Sequence, residues 1–120
     1  MKEEQALYEV VNSIPVVLGA FENRACALPK ANENYRAPEP EEVKALISLC
    51  GWSQGVTAKI TGVSYSSKGS TSVRRWQYPK ENPNYRSIDY STWRLMLISA
   101  GVVNQEDALK EIGLNGYALK

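Results

Sequence analysis

The chain contains no histidine, and only two of its 120 residues are cysteines, Cys26 and Cys50. Histidine is the commonest general base and the commonest zinc ligand, so its absence disfavours ordinary hydrolytic and zinc chemistry. The two cysteines lie in apolar surroundings without the paired spacing of a disulfide or metal motif, and we expect buried thiols in a reducing compartment. We therefore expect a protein that is not an enzyme and that uses no cofactor, metal or small-molecule ligand.

Long apolar runs are also missing from the sequence. No stretch approaches the roughly 20 apolar residues that a membrane span needs. The acidic start Lys2-Glu3-Glu4 differs from a signal peptide. We expect a cytoplasmic, nucleoid-associated protein without membrane contact, and a hydrophobic content of 43% is enough for the packed core of a small domain.

Charge is distributed unevenly, although the net charge is only +1. Residues 1–50 hold five basic and eight acidic side chains, residues 51–100 hold seven and two, and residues 101–120 hold two and three. Nucleic-acid affinity depends on local neutralisation of phosphates, so the positive middle segment matters more than the total. It indicates double-stranded DNA as a partner, and a merely solvated basic face is the alternative.

Apolar residues at helical spacing predict an all-α fold. Residues 1–34 are expected to form an N-terminal helical extension, with the polar segment Lys30–Tyr35 as a connector. No internal repeat is expected. The extension has two amphipathic stretches, one with Leu7, Val10, Val11 and Ile14 before Pro15, and one with Val17, Phe21, Ala25 and Leu28 before Pro29.

Capping residues predict where the helices of a central domain, residues 35–103, begin and end. Residues 104–120 are expected to form a short C-terminal helix and a tail. The first predicted helix starts within Pro38–Glu42 and ends at Gly51, and the second starts after the cap Ser53. The third starts after Asp89 or Ser91 and ends at Gly101, and the fourth runs from about Gln105 to Ile112. The expected buried residues are Val43, Leu46, Ile47 and Cys50 in the first, and Trp93, Met96, Leu97 and Ala100 in the third.

The segment Trp52–Ser64, followed by Val73–Trp76, carries the most informative pattern. A small residue at Ala58 permits two helices to cross closely, and Gly62 permits a tight turn between helices. The pattern resembles the Cro and lambda-repressor type of helix-turn-helix, also called the XRE type, over roughly residues 36–103. The matching residues are Gln54, Ala58, Gly62, Val63, Ser64, Val73, Arg75 and Trp76.

The resemblance implies a lambda-repressor-like helix-turn-helix bundle and a sequence-specific, double-stranded DNA-binding transcriptional regulator. A repressor from a bacterium, phage or mobile element is the expected form. Two departures are present: Thr57 and Thr61 stand at usually apolar positions, and extra residues near Tyr65–Gly69 lengthen the turn. The alternative function is a protein-interaction module, such as an antitoxin or adaptor, that contacts its partner through the acidic N-terminal part.

The segment Ser64–Val73 admits two interpretations. In one it is an extended turn, and Gly69 or Ser70 opens a recognition helix that continues to Gln77. In the other, two short strands meet at Lys68-Gly69 in a hairpin. The sequence leaves both open.

The candidate DNA-binding residues fall into three groups. Arginines and hydroxyls can bind base edges in a groove, whereas lysines contact phosphates. Arg75 is expected either to reach phosphates or to pair with an acidic side chain, and Gln54 either to contact phosphate or only to open its helix. The groove-facing set is Ser70, Thr71, Ser72 and Arg74, and the flanking phosphate contacts are Lys68, Lys80 and Arg86.

The predicted N-terminal extension has more apolar surface than a mere extension requires. A single helix-turn-helix reads only a few base pairs, and such proteins bind palindromic sites as dimers. We therefore predict a possible homodimer formed by the apolar faces of residues 5–28, with packing of this segment onto its own core as the alternative.

Overall fold

The computed structural model describes residues 14–111. Over this range the chain is helical, with no strand beyond an isolated bridge between Ser66 and Gly69, as the all-α prediction requires. The described helices are the 3₁₀ helices Leu18–Phe21 and Ala25–Ala27, followed by α1 (Pro40–Cys50), α2 (Gln54–Thr61), α3 (Thr71–Trp76), α4 (Tyr90–Ser99) and α5 (Gln105–Glu111).

The predicted starts of α1, α2 and α4 are confirmed, because their capping groups are in place. Glu39 and Glu42 form a reciprocal capping box at the start of α1. Ser53 caps α2 by accepting a hydrogen bond from Val56 N at 3.0 Å. Of the two candidates for α4, Asp89 is the cap.

The segment Ser64–Val73 follows the helical interpretation. Ser70 is the N-cap of α3, and its Oγ accepts a hydrogen bond from Val73 N at 3.3 Å. The hairpin interpretation is wrong for the region as a whole, since only Ser66 and Gly69 pair across the turn. Val73 and Trp76 anchor α3 in the core, with 0% and 7% of their surfaces exposed.

The second amphipathic stretch, predicted to run to Pro29, is not one helix. Two 3₁₀ helices replace it, and Val17 is exposed rather than core-facing. Arg24, between them, has an extended backbone (φ −84°, ψ 151°), and its side chain bonds to buried Glu42. The extended backbone at Arg24 interrupts the helix, and the ion pair with Glu42 holds the Arg24 side chain. Leu7, Val10 and Val11, from the first stretch, lie outside the described residues.

The expectation of no internal repeat is wrong. The motif Pro-Lys-x-Asn-x-Asn-Tyr-Arg occurs at residues 29–36 and again at 79–86, so that equivalent residues differ by 50 in number. Each loop leads into a long helix, α1 or α4, that ends at a glycine with a positive φ, 68° at Gly51 and 79° at Gly101. We call residues 24–51 the first unit and residues 74–101 the second unit.

The two units share their backbone hydrogen bonds as well as their sequence motif. In the first, the amide of Asn34 donates to Asn32 Oδ1 at 2.8 Å, and in the second Asn84 donates to Asn82 Oδ1 at 2.8 Å. The motif arginine closes each loop onto the preceding helix. Arg36 N donates to Ala25 O at 3.3 Å, and Arg86 N donates to Arg75 O at 3.2 Å.

Contacts between the units are reciprocal. The first loop reaches the start of α4, where Lys30 N donates to Tyr90 Oη at 3.1 Å. The second loop reaches the start of α1, where Lys80 Nζ lies 2.7 Å from Glu39 Oε2. Trp93 of α4 donates from Nε1 to Cys26 O at 2.9 Å, and α1 packs on α3. The loop of each unit therefore contacts the start of the long helix of the other unit.

The core lies between these elements, with α2 packed on α4 and the 3₁₀ helix Leu18–Phe21 packed on α1. Because Phe21 and Cys26 belong to this core, the predicted N-terminal extension contributes directly to it. The predicted domain boundaries themselves remain a prediction. In the described part of the chain, no helix has the length and apolar character needed to cross a membrane. The largest fully buried side chains of the core are Trp93, Phe21, Leu46, Met96 and Leu97.

Candidate nucleic-acid interface

The helices α2 and α3 are joined by an extended turn that is tied to both of them. Ser70 Oγ donates to Ser64 O at 2.8 Å, and Ser70 N donates to Gln54 Oε1 at 2.9 Å. Gly69 has φ +114°, and a Cβ built there would overlap Gln54 Oε1. Another residue here would have to adopt this positive φ and displace the Gln54 side chain.

A polar network connects α2 with the exposed side of α3. The oxygen of Gln54 also accepts a hydrogen bond from Arg74 Nη1 at 3.1 Å. Arg74 Nη2 donates to Thr71 Oγ1, one turn earlier on α3, at 3.2 Å. Arg74 and Gln54 are half-buried and Thr71 is exposed. The structure thus brings three of the predicted site residues together.

Ser70 was predicted to face the DNA groove, but the structure buries it. Its surface is 1% exposed, and its hydroxyl is already used as the cap of α3 and as a donor to the turn. Because this oxygen is occupied inside the protein, Ser70 supports the site and does not face outward. Ser72 is half-buried and Thr71 is exposed.

Arg75 is half-buried near the end of α3. Of its two predicted roles, pairing with an acidic side chain is not seen among the described residues, where its guanidinium has no ion pair. Its carbonyl accepts the hydrogen bond from Arg86 N that attaches the second loop to α3.

The three flanking cations differ in their surroundings. Lys68 is exposed on the turn. Lys80 is exposed but paired with Glu39, whose hydrogen bond raises the pKa of the lysine. Arg86 donates from Nη1 to Tyr85 O at 2.7 Å and to Pro83 O at 3.1 Å, which holds its side chain against its own loop. Lys68 therefore has the least competition for an external anion.

A buried charged cluster lies within the first unit. Glu42, 1% exposed, accepts bonds from Arg24 Nε at 2.7 Å and from Arg36 Nη1 at 3.0 Å. Burial alone would raise the pKa of Glu42, but hydrogen bonds from Arg36, the Glu39 backbone and Arg24 outweigh it and lower the pKa to about 2.

Cys26 also contacts this cluster, through a hydrogen bond from Sγ to Glu42 Oε2 at 3.3 Å. Burial and then the charge of Glu42 raise the pKa of the thiol to about 12, which disfavours the reactive thiolate. Cys26 is buried, as predicted, whereas Cys50 is only half-buried.

Two features were not predicted from the sequence. One is the contact between Gly69 and Gln54, and the other is the burial of the Glu42 carboxylate. The signal for Gly69 was its place directly before a serine cap, in a turn longer than the family pattern. The signal for Glu42 was its place three residues after Glu39, which is the spacing of a capping box.

These features define a small helical domain in which α2 and α3, joined by a turn, carry a cluster of basic and amide side chains. Comparison with family models finds no match, and no solved structure matches the chain. The chain is 33% identical over 73 residues to the transcriptional repressor protein KorC of Escherichia coli, and the matched region covers 61% of this chain and 78% of that protein. The chain belongs to the KorC family.

Proposed function

We propose that this protein is a transcriptional repressor that binds specific sequences of double-stranded DNA through an XRE-type, lambda-repressor-like helix-turn-helix formed by α2 and α3. The observation that carries the proposal is the network of Gln54, Thr71 and Arg74 on the accessible side of α3. Kinship with a protein named as a transcriptional repressor supports the same function. The protein acts as a regulator at the nucleoid in the cytoplasm, and not as an enzyme.

Electrostatics favour DNA over a protein partner at this surface. From Gly51 to Lys80 the sequence has no aspartate or glutamate, whereas it has five basic residues. Such a segment attracts phosphates and releases counterions when it binds them. The basic residues are Lys59, Lys68, Arg74, Arg75 and Lys80.

Binding to duplex DNA under increasing salt tests the proposal. Bound sites are first selected from random duplexes, and affinity is then measured by fluorescence anisotropy. With about five phosphate contacts, log affinity should fall against log salt with a slope of roughly −4 to −5. A flat salt dependence, equal affinity for selected and random duplexes, or no binding at low salt would contradict the proposal.

Two lysines provide a matched comparison. Lys68→Gln removes a charge from the turn before α3, and Lys44→Gln removes a charge from an exposed position on α1. We expect the first to reduce the magnitude of the salt slope by about 0.9 and the second to leave it unchanged. Equal effects would mean that only net charge matters and that α3 is not the interface.

We also propose that the protein binds DNA as a homodimer formed by residues 5–28. The described end of this segment exposes Ile14, Val16 and Val17 by 44%, 80% and 59%. Val17→Glu should weaken a dimer in sedimentation equilibrium, whereas Leu95→Glu, at a 41% exposed site on α4, should not. A wild-type monomer that forms a one-protein complex with its selected site would rule out the dimer.

A further inference from the structure

The turn between α2 and α3 presents a continuous row of exposed side chains. We call residues 64–68 the turn strip, and all five of them are exposed. Four carry hydroxyl groups and the fifth is a lysine, so the strip has hydrogen-bond donors and a positive charge but no acidic side chain. Its members are Ser64, Tyr65, Ser66, Ser67 and Lys68.

Hydrogen bonds within the turn hold the strip in one shape. Ser66 N donates to Gly69 O at 2.8 Å and Gly69 N donates to Ser66 O at 3.0 Å, which closes a tight loop with Lys68 at its tip. Lys68 N also donates to Ser66 Oγ at 3.2 Å. At the base of the turn, Ser70 Oγ donates to Ser64 O at 2.8 Å. A strip that is ordered before it meets a partner loses less conformational entropy on binding.

Lys59, in the last turn of α2, lies against the strip at Tyr65. The Lys59 Nζ is 5.7 Å from the centroid of the Tyr65 ring, in a cation–π contact. Both side chains are exposed, Tyr65 by 52%. Among the residues that the structure describes, the Lys59 ammonium has no acidic partner and the Tyr65 hydroxyl has no hydrogen-bond partner. The pair therefore places a positive charge and a hydroxyl donor together on the surface.

We propose that the turn strip is a second DNA-contacting element, and that Lys59 and Tyr65 together bind one phosphate group of the DNA backbone. This inference rests on the proposed DNA-binding function and adds a contact outside α3 to it. Phosphate oxygens accept hydrogen bonds from lysine ammonium groups and from tyrosine hydroxyls. Neither bond depends on the base, so the pair adds affinity for every duplex and leaves base reading to α3.

The path of the turn along α2 separates this contact from that of Lys68. The strip begins beside Lys59, near the end of α2, and the turn closes against the start of α2, where Ser70 N donates to Gln54 Oε1 at 2.9 Å. Gln54 and Lys59 are five positions apart, which is about 7.5 Å along a helix axis. The strip thus runs back along α2 towards the start of α3. Because Tyr65 and Lys68 lie at different points of this path, we expect them to contact different phosphates.

Replacement of single phosphates in the DNA tests the proposal with the full chain. The selected duplex is made with one phosphate at a time changed to an uncharged methylphosphonate, and affinities are measured by fluorescence anisotropy. At one phosphate, the replacement should weaken binding of wild type by about three- to tenfold and binding of Lys59→Gln or Tyr65→Phe by less than about twofold. Lys68→Gln should lose its sensitivity at another phosphate.

The same variants should have defined effects on unmodified duplexes. Lys59→Gln should reduce the magnitude of the salt slope by about 0.9. Tyr65→Phe removes no charge, so it should keep the slope and weaken all duplexes by about two- to tenfold. Neither variant should change the preference for the selected site over duplexes with one altered base pair. Tyr35→Phe is the matched control, since Tyr35 belongs to the first unit and packs edge-on against the ring of Tyr90, and it should leave affinity unchanged.

The outcomes distinguish this inference from the proposed function. If wild type prefers its selected site but every phosphate keeps its full effect in Lys59→Gln and Tyr65→Phe, the pair binds no phosphate and the inference alone is overturned. A change of preference at one base pair in Tyr65→Phe would also overturn it, because Tyr65 would then read a base. If wild type binds no DNA, the proposed function itself fails. Circular dichroism checks the folding of each variant, and should one of the two unfold, the other must show the loss at that phosphate or the inference is overturned.

Discussion

The two units place equivalent arginines in opposite environments. Arg24, in the first unit, is 9% exposed and bonded to the buried carboxylate of Glu42. Arg74, its counterpart 50 residues later, lies half-buried on α3 and is held by an amide and a hydroxyl. One arginine stabilises the interior, and the other is presented at the surface.

The difference follows from the residue in the first turn of each long helix. Glu42 in α1 corresponds to Thr92 in α4, which bonds to its own cap Asp89 and offers no negative charge. The arginine of the first unit therefore gains an ion pair by turning inward, and the arginine of the second has no such partner. The same loop-and-helix scaffold can support the core or a binding surface.

Removing the buried charge should have the largest effect. Glu42→Gln preserves side-chain size and the capping box but removes the buried negative charge to which Arg24 and Arg36 bond. We expect the free energy of unfolding to fall by about 3–5 kcal/mol, as for other broken buried ion pairs. The change Thr92→Ala at the equivalent position should cost less, about 1–2 kcal/mol, because it removes one exposed hydrogen bond from the Thr92 hydroxyl to the Asp89 carboxylate. Urea denaturation measures both, and equal losses would contradict the contrast between the units.

Acid should also destabilise the first unit, because it protonates Glu42. The pKa of Glu42 lies near 2 in the folded chain, against an ordinary value of 4.5. A lowered folded pKa means that the contribution to stability is complete above about pH 5 and is lost as the pH falls towards 2. The difference between wild type and Glu42→Gln should shrink by about 3 kcal/mol over this range. A difference that stays constant from pH 7 to pH 3 would show that Glu42 is not the group responsible.

Helix ends were predictable because they depend on local chemistry, but contacts between distant residues were not. Ser53 and Gly51 mark their boundaries through hydrogen bonds within a few residues. The inward turn of Arg24 depends on Glu42, which is 18 residues away, and apolar periodicity carries no information about it. The bond from Gln54 to Arg74 likewise requires the turn to fold back onto α2.

The repeat escaped detection for a related reason. Its identical residues lie in the loops, where Asn32 and Asn82 hold the same turn. In the helices, equivalent positions differ in size and charge, as with Glu42 and Thr92 or Val43 and Trp93. Apolar periodicity alone therefore indicates two unrelated helices, although the loops that precede them form equivalent hydrogen bonds.

A glycine substitution in the turn before α3 should act on the candidate interface. Gly69→Ala requires both an unfavourable positive φ and displacement of Gln54, and we expect it to cost about 1–3 kcal/mol of stability. It should also reduce base discrimination. Gly55→Ala in α2 is the control, since its added Cβ meets only Ser53 Oγ at 3.8 Å, and a helical alanine should be neutral or stabilising. Comparable losses in thermal denaturation would argue against a special role for the Gly69 turn.

The smallest expected effect comes from the lysines of the two loops. Lys80 pairs with Glu39 and the equivalent Lys30 lies over the ring of Tyr90 at 5.9 Å. Both are exposed, so replacing either with alanine should hardly change the urea midpoint. In DNA binding, Lys80→Ala should reduce the salt slope by less than Lys68→Gln does, because Glu39 already neutralises part of the lysine charge, and Lys30→Ala should not change it. If Lys80→Ala lowered the slope by a full phosphate contact, the lysine would have to leave Glu39 on binding, and the second loop would belong to the DNA interface as fully as the turn before α3.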